Sequence, residues 1–394
     1  MSEWLDDIAS AGASTVNYWK ELWIHDAVEN HARLKRYLAS GKAIDIVKHP
    51  RVTHAPAYLL ASGPSLDDTP WGDLMARQAE GAAVFAATSN VITALANGIT
   101  PDYIIVVDAN PSVASHVKPV LDRLCGTTLL TSPLIEPKLI KDWPGPIALF
   151  RPLQHGDDFI MNALPKMYST RHEIDATHRV FVEWINASFL NAGCVTNAMV
   201  LAASFLGYDP LFMLGNDLGF PNGRLRCATY TRDGDSFVAD PQPPVIAREL
   251  LRTANNGVRT ISEYLHYKLN LFIAWRLTPI HLYNCSTIGI IHDDEVPRID
   301  VKTACGYVEG SVDGPDGSRI PASALGWEHA LHTYPMDIGG VEWGRHVEAI
   351  CARMGMMIKP VNGGFQIQAM TTGNVMSVPT TGVTSTSTRG KSNG

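Results

Sequence analysis

The most informative stretch of this sequence is YLLASGPSLDD, residues 58–68. Its continuous apolar run is typical of a strand covered on both faces, as in a parallel sheet. The run ends at Gly63, Pro64 and Ser65, where a glycine permits a sharp turn or the close approach of a ligand. A serine here can cap the next helix or bind a phosphate. Because the stretch lacks the glycines of GxGxxG and the lysine of a P-loop, it fits an ordinary turn as well as a phosphate loop.

Further apolar runs along the chain have the same character. They are AVFAAT (83–88), YIIVVD (103–108), TLLTS (128–132), IALF (147–150), LFMLG (211–215) and IHLYN (280–284). Between several of them, apolar residues recur at helical spacing, as over 194–206 and 258–276. This alternation predicts an α/β fold: a mostly parallel sheet with helices on both faces.

The two ends of the chain differ from this middle part. Residues 15–40 carry apolar side chains at mostly helical spacing, which predicts an amphipathic helix. Beyond residue 292 the pattern weakens into short strands and one helix near 342–354. The last residues contain few large apolar groups, which predicts disorder. We therefore expect an N-terminal helical segment and connector (1–56), an α/β domain (57–292), a C-terminal extension (293–379) and a disordered tail (380–394).

Composition narrows the class of protein. The chain is 45% hydrophobic, 18% charged and has a net charge of −7, which argues against an extended nucleic-acid surface. None of its six cysteines lies in a CxxC pair, so neither a zinc ribbon nor a disulfide framework is indicated. The first residues, MSEWLDDIASAG, lack the pattern of a signal peptide, and no apolar run reaches about 18 residues. We expect a cytoplasmic protein with reduced thiols and no membrane span.

Polar residues follow several of the predicted strands. Ser89 and Asn90 follow the second, Asp108 ends the third, and Asn216 and Asp217 follow a later one. Because parallel strands place their carboxyl ends on one edge of the sheet, these side chains predict one site. The two aspartates could hold Mg²⁺ or Mn²⁺ against phosphates, or one could act as general base on an acceptor hydroxyl. Each acid alone could instead cap a turn or a short helix.

The order of these segments resembles the MptE-like family, whose relatives include archaeal 6-hydroxymethylpterin diphosphokinases and the motility-associated-factor glycosyltransferases that modify flagellin. The resemblance runs over about residues 57–292. It rests on SGPSLD (62–67), the serine-asparagine at 89–90, PDYIIVVDANP (101–111), NAGCVTNAMVLAASFLGYDPLFMLGNDLGF (191–220) and YNCSTIGI (283–290).

The resemblance implies a Rossmann-like domain that binds a nucleotide or a nucleotide-activated donor. It also implies roles for matching positions: a phosphate-side loop at Gly63, Pro64 and Ser65, and a second nucleotide loop at Ser89 and Asn90. Asp108 matches the acid that closes the third strand. A glycine-containing turn into a helix matches Asn191, Gly193, Thr196 and Asn197, and the polar-acid pair after the next strand matches Asn216 and Asp217.

Two departures from the family bear on the mechanism. Many relatives have glutamine-aspartate where this chain has Asn216 and Asp217. Many also have a histidine after that acid, where this sequence offers two arginines, a cysteine and a tyrosine at 224, 226, 227 and 230. Arg224 and Arg226 could neutralise a leaving phosphate. His155 is the remaining histidine best suited to acid–base chemistry.

Three functions fit these residues. The leading hypothesis is a nucleotide-dependent transferase, specifically a glycosyltransferase that uses a nucleotide-activated sugar. The second is pyrophosphoryl transfer from ATP to a hydroxymethylpterin, with the aspartates holding magnesium. The third is a non-catalytic module that binds a nucleotide or a protein. The acceptor, whether a protein, a glycan or a small molecule, is not readable from the sequence.

Overall fold

The structure is a computed structural model. It describes residues 2–52, 55–154, 157–158, 185, 188–190, 194–224, 226–227, 231–232, 236–237, 251–253, 257–276, 278, 280–291, 296–306, 311–313, 319–321, 356–361, 364–369 and 375–379. The chain divides into two compact units, one of residues 1–154 and 158–335 and one of residues 155–157 and 336–394.

The first unit is built on short strands. Their bounds are β1 (Ala43–Asp45), β2 (Ala57–Leu60), β3 (Ala83–Ala87), β4 (Tyr103–Val106), β5 (Thr128–Thr131), β6 (Ile147–Leu149), β7 (Arg151–Gln154), β8 (Asp157–Asp158, at the boundary between the units), β9 (Ser188–Leu190), β10 (Leu211–Leu214), β11 (Thr231–Arg232), β12 (Ser236–Phe237), β13 (Leu251–Thr253), β14 (Arg259–Ile261), β15 (Leu282–Asn284), β16 (Ser311–Asp313) and β17 (Arg319–Pro321).

Eight of these strands form one sheet, in the order β1-β6-β5-β4-β3-β2-β10-β15. All neighbouring pairs in it are parallel. The seven apolar runs of the sequence supply every strand of this sheet except β1, so the predicted parallel α/β fold is confirmed. β1 was missed because its sequence, Ala-Ile-Asp, ends in an acid and does not form a continuous apolar run.

The helices are α1 (Ser2–Ser40), α2 (Trp71–Ala79), α3 (Val91–Ala96), α4 (Pro111–Val117), α5 (Pro137–Asp142), α6 (Val195–Phe205), α7 (Ser262–Arg276) and α8 (Val301–Cys305). The helices α2 to α7 lie in the intervals between parallel strands, as crossover connections require, whereas α1 precedes the sheet and α8 follows it. Tyr58, Leu59 and Leu60 of β2 are all fully buried, so both faces of the sheet are covered there. No described helix is long and apolar enough to cross a membrane.

The N-terminal helix belongs to the same unit as the sheet. The predicted helix over 15–40 is confirmed and begins earlier, at Ser2. Trp23, Ala27 and Leu34 are buried on its inner side. Asn30 fixes the helix to the segment after β5, because its Nδ2 donates to the carbonyls of Pro133 (3.0 Å) and Ile135 (2.8 Å).

The second unit contains one described antiparallel sheet, formed by β18 (Met356–Val361), β19 (Gly364–Ala369) and β20 (Val375–Pro379). The helix expected near 342–354 and the tail over 380–394 lie outside the described residues.

The order of the strands determines where a ligand can bind. From β2 the chain moves outward through β3, β4, β5 and β6, and then returns to place β10 on the other side of β2. In open parallel sheets, ligands bind at such a reversal, beyond the carboxyl ends of the strands.

Candidate functional site

A cavity of about 500 Å³ lies at this edge of the sheet. The segments after β2, β3, β4 and β10 form its floor, and α4, the first residues of α6 and α7 contribute walls. Several residues singled out in the sequence line it together: Gly63, Ser89, Asp108, Thr196, Asn216 and Asp217. Positions up to 154 residues apart in sequence therefore meet in one place.

The other predicted binding residues lie behind the cavity wall or outside the described residues. Ser65, Asn90 and Asn197 are buried. Asn90 Nδ2 donates to the Leu60 carbonyl at 2.8 Å, and Asn197 Nδ2 donates to the Tyr267 carbonyl at 3.1 Å. Pro64, also buried, begins a short 3₁₀ turn. Asn191 and Gly193 fall outside the described residues.

Asp217 is the most highly connected acid at the site. Its Oδ2 accepts the Ser65 N–H at 2.8 Å, and its Oδ1 accepts the Ser65 hydroxyl at 2.5 Å and the Ser286 hydroxyl. Burial raises the pKa of this carboxyl, and the hydrogen bonds from the two serines oppose that shift. These contacts join the segments after β2, β10 and β15, and we refer to Asp217, Ser65 and Ser286 as the aspartate clasp.

Gly63 is a glycine because the clasp brings two backbones together. A Cβ at this position would lie 2.5 Å from Asp217 Oδ2 and 2.5 Å from the Gly215 carbonyl oxygen. The Gly63 N–H donates to that same carbonyl at 2.8 Å. The turn quoted at the start of the sequence analysis is therefore a contact between the ends of two neighbouring strands.

The segment after β10 has an unusual backbone. Gly215 has φ 70° and Leu218 has φ 49°, in the left-handed region that side chains other than those of Asn and Asp rarely adopt. Two bonds hold it: Ile290 N–H donates to the Asp217 carbonyl at 2.9 Å, and the Thr260 hydroxyl donates to the Leu218 carbonyl at 2.8 Å. Backbone strain of this kind persists where surrounding contacts enforce it, and it is common at functional sites.

Asp108 differs from Asp217 in how its carboxylate is used. One oxygen accepts the Asn110 N–H at 2.9 Å, and Asn110 in turn caps α4 through the Ser112 N–H. The residue is exposed at the cavity wall, and desolvation by the surrounding chain raises the pKa of its carboxyl. Among the described contacts this single bond is its only hydrogen bond, so Asp108 is the acid better placed to meet a ligand.

The structure adds lining residues to which the sequence analysis gave no site role. His116, on α4, lies with Nδ1 3.5 Å from the Thr88 hydroxyl. Tyr264 and Tyr267 lie on α7 with ring centroids 5.9 Å apart, and Trp23 reaches the cavity from α1. The position of His116, two turns into the helix that follows Asp108, is a signal that could have revealed it. Both tyrosines lie within a segment that the sequence predicts to be a helix, and nothing in the sequence marked them as site residues.

The two arginines considered in the sequence analysis have different positions. Arg226 lines the cavity, and its Nη1 lies 3.4 Å from the Tyr264 hydroxyl. Arg224 forms an ion pair with Asp67 at 2.5 Å and does not contribute to the cavity lining. His155 lies outside the described residues.

The donor groups can be tested against a divalent ion. Mg²⁺ bound with phosphates commonly uses one or two carboxylates and several waters. Asp108 fits such a role, whereas three hydrogen bonds already engage the oxygens of Asp217. In the described part of the chain, no group of three His, Cys, Asp or Glu side chains is arranged to hold a metal ion.

Comparison with known proteins relates the chain to one family. The family model described as 6-hydroxymethylpterin diphosphokinase MptE-like matches residues 27–223, which is half of the chain. Among curated proteins, none matches. A solved structure, the MAf glycosyltransferase from Magnetospirillum magneticum AMB-1, is similar with 19% identity and a TM-score of 0.47, over 72% of this chain and 38% of that chain. The family match includes the segments after β2, β3, β4 and β10 but ends before α7 and β15.

Proposed function

This chain belongs to the MptE-like family, and we propose that it is a nucleotide-dependent transferase that moves a sugar from a nucleotide-activated donor to an acceptor hydroxyl. A diphosphokinase is a transferase, so membership of the family supports the general class. The sugar donor is our own inference.

The volume and the lining of the cavity support this proposal. Its volume of about 500 Å³ falls in the range of small-molecule sites and suits a ligand with two parts, a nucleotide and a second group. Tyr264 and Tyr267 provide walls from α7, beyond the region that the family model matches. This additional wall gives a reason to expect a bulky second group.

The chemistry requires a proton acceptor and a place for the departing phosphate. In glycosyl transfer, the acceptor oxygen forms a bond to the anomeric carbon while the bond from that carbon to the donor phosphate breaks. The acceptor proton must leave, and the phosphate departs with the bonding electron pair. We assign Asp108 as the base, because its carboxylate faces the cavity and its raised pKa makes it a better proton acceptor than an ordinary aspartate.

Asp217 has a different role in this proposal. Its carboxylate positions the Gly63–Ser65 turn through the clasp. If the donor brings Mg²⁺ or Mn²⁺, Asp108 would hold the ion with phosphate oxygens instead of acting as the base, and the ion would neutralise phosphate charge.

The description of the family favours a second candidate, diphosphoryl transfer from ATP to a pterin alcohol. The same carboxylate would then accept the proton of the pterin alcohol. The two candidates differ in the donor that is consumed.

The test is a donor panel. Purified protein is incubated with nucleotide sugars of cytidine and uridine and, separately, with ATP, Mg²⁺ and hydroxymethylpterin, and released nucleotides are quantified by chromatography. We expect a cytidine or uridine sugar to be consumed and Asp108→Asn to slow its turnover by about 100-fold or more. Asp122→Asn, a change at an exposed aspartate away from the cavity, is the matched control and should retain full turnover. Consumption of ATP without consumption of any nucleotide sugar would favour the diphosphokinase. Unchanged turnover by the Asp108→Asn variant would remove Asp108 from the mechanism.

A further inference from the structure

The hydrogen-bond donors of the Gly63–Ser65 turn are all bonded to other groups of the protein. The Gly63 N–H bonds to the Gly215 carbonyl, and the Ser65 N–H and hydroxyl both bond to Asp217. Pro64 has no N–H. A phosphate placed at this turn would have to displace these bonds and would face the carboxylate of Asp217.

The carboxylates that line the cavity oppose the binding of a phosphate. Asp108 and Asp217 both line it, and two ionised carboxylates repel a phosphate. A phosphate bound here therefore needs a cation. Of the described lining residues, Arg226 is the one whose side chain is always cationic, since the charge of His116 depends on pH.

The backbone beside Arg226 is anchored to the floor of the cavity. The N–H of the next residue, Cys227, donates to the Ser62 carbonyl at 2.9 Å, and Cys227 is fully buried. Arg226 Nη1 donates to the Tyr264 hydroxyl oxygen at 3.4 Å, so the guanidinium and the hydroxyl lie side by side at the wall, and the hydroxyl keeps its own hydrogen to donate. Arginine binds phosphate with a planar fork of N–H groups, which suits it to this task.

We propose that Arg226 and the Tyr264 hydroxyl form the phosphate subsite of this cavity, and that its ligand is the phosphate of a nucleotide. The subsite is separate from the Gly63–Ser65 turn, which serves to hold the floor in shape. The identity of the phosphate as part of a sugar donor rests on the proposed function, but the subsite itself requires only a phosphate.

Titration calorimetry in EDTA tests the subsite. Wild-type protein and the Arg226→Gln, Arg226→Lys and Tyr264→Phe variants are titrated with CMP, UMP, UDP, ATP and inorganic pyrophosphate, and the melting temperature of each variant without ligand is recorded. Arg77→Gln is the matched control, because that arginine pairs with Glu80 and does not line the cavity.

We expect Arg226→Gln to weaken binding of the tightest phosphate ligand by about 10-fold to 100-fold, as loss of a charged hydrogen-bond partner does. Arg226→Lys should recover part of the affinity, and Tyr264→Phe should lose about 3-fold to 10-fold. Arg77→Gln should bind like the wild type. Affinity should persist at pH 9, where an imidazole is neutral and a guanidinium is still charged.

The outcomes separate the two proposals. Equal affinity in wild type and folded Arg226→Gln, or loss of affinity at pH 9, would overturn the subsite and leave the proposed function standing. Pyrophosphate binding that depends on Arg226 without binding of any nucleotide would support the subsite and contradict the proposed function. Absence of binding by every ligand in EDTA would overturn the subsite, which requires no metal ion, and the donor panel described above would then decide the proposed function.

Discussion

At the scale of single residues, the structure explains why a buried strand ends in Ser62-Gly63-Pro64-Ser65. The sequence suggested a phosphate loop, and the residue types are indeed those that such loops use. The structure directs the same donors to Asp217 and Gly215. The sequence could predict that the ends of β2 and β10 lie near each other, because parallel strands share an edge. It could not predict which donor pairs with which acceptor, since that depends on loop geometry over a few tenths of an ångström.

Gly63 offers a direct test of the contact between the two strand ends. We expect Gly63→Ala to lower the free energy of unfolding by about 2–4 kcal/mol, because the new Cβ would meet Asp217 Oδ2 and the Gly215 oxygen at 2.5 Å. Gly72→Ala is the matched control, because nothing lies within 4 Å of its Cβ and the residue is within α2. In a helix, this change should be neutral or stabilising by up to about 1 kcal/mol. Urea unfolding measures both, and similar stability of the two variants would mean that the strand ends are farther apart.

At the scale of elements, sequence patterns located every strand of the sheet except β1, together with the helices α1, α6 and α7. Apolar runs of four to six residues and helical spacing over ten or more residues both survive local irregularity. The walls of the cavity were harder to predict. Tyr264 and Tyr267 reach the cavity because α7 packs beside α6. The sequence of one helix does not show which other helix it will pack against. His116 was closer to prediction, because α4 follows Asp108 directly.

The helix α1 carries a buried acid whose charge opposes folding. Asp26 is 1% exposed, and one of its oxygens has no hydrogen-bond partner among the described residues. Burial raises its pKa to about 6, which outweighs the opposing hydrogen bond from His25. Because the folded pKa lies above the unfolded value, the folded state holds the proton more tightly. The contribution of Asp26 to stability therefore falls as pH rises from about 4 to about 6, and the loss remains at higher pH.

Replacing this acid should stabilise the protein in a pH-dependent way. We expect Asp26→Asn to raise the free energy of unfolding by about 1–3 kcal/mol at pH 8 and to have little effect at pH 4. Thermal unfolding at both pH values measures the difference. Glu21→Gln, at an exposed position of the same helix, is the control and should change stability by less than about 0.5 kcal/mol at either pH. If the increase in the free energy of unfolding is the same at pH 4 and pH 8, burial of the charge is not its cause.

At the scale of the whole molecule, the fold concentrates its polar chemistry at one edge of an otherwise apolar sheet. The order of the strands reverses at β2, and the cavity lies beside this reversal. The family match covers the floor of the cavity, and the walls from α7 come from outside it. We therefore place the nucleotide phosphate at Arg226 and Tyr264, which lie outside the family match, and the rest of the ligand over the floor that the match covers.

The central claim is that this cavity binds a nucleotide. A crystal structure of the wild-type protein, soaked with the nucleotide that raises its melting temperature most in a screen of cytidine, uridine and adenosine phosphates, tests it most directly. We predict electron density for the nucleotide within the cavity, with a phosphate at Arg226 and with the hydrogen bonds of the aspartate clasp unchanged. A nucleotide bound elsewhere on the molecule, or no nucleotide that stabilises the protein and binds in the crystal, would contradict the account.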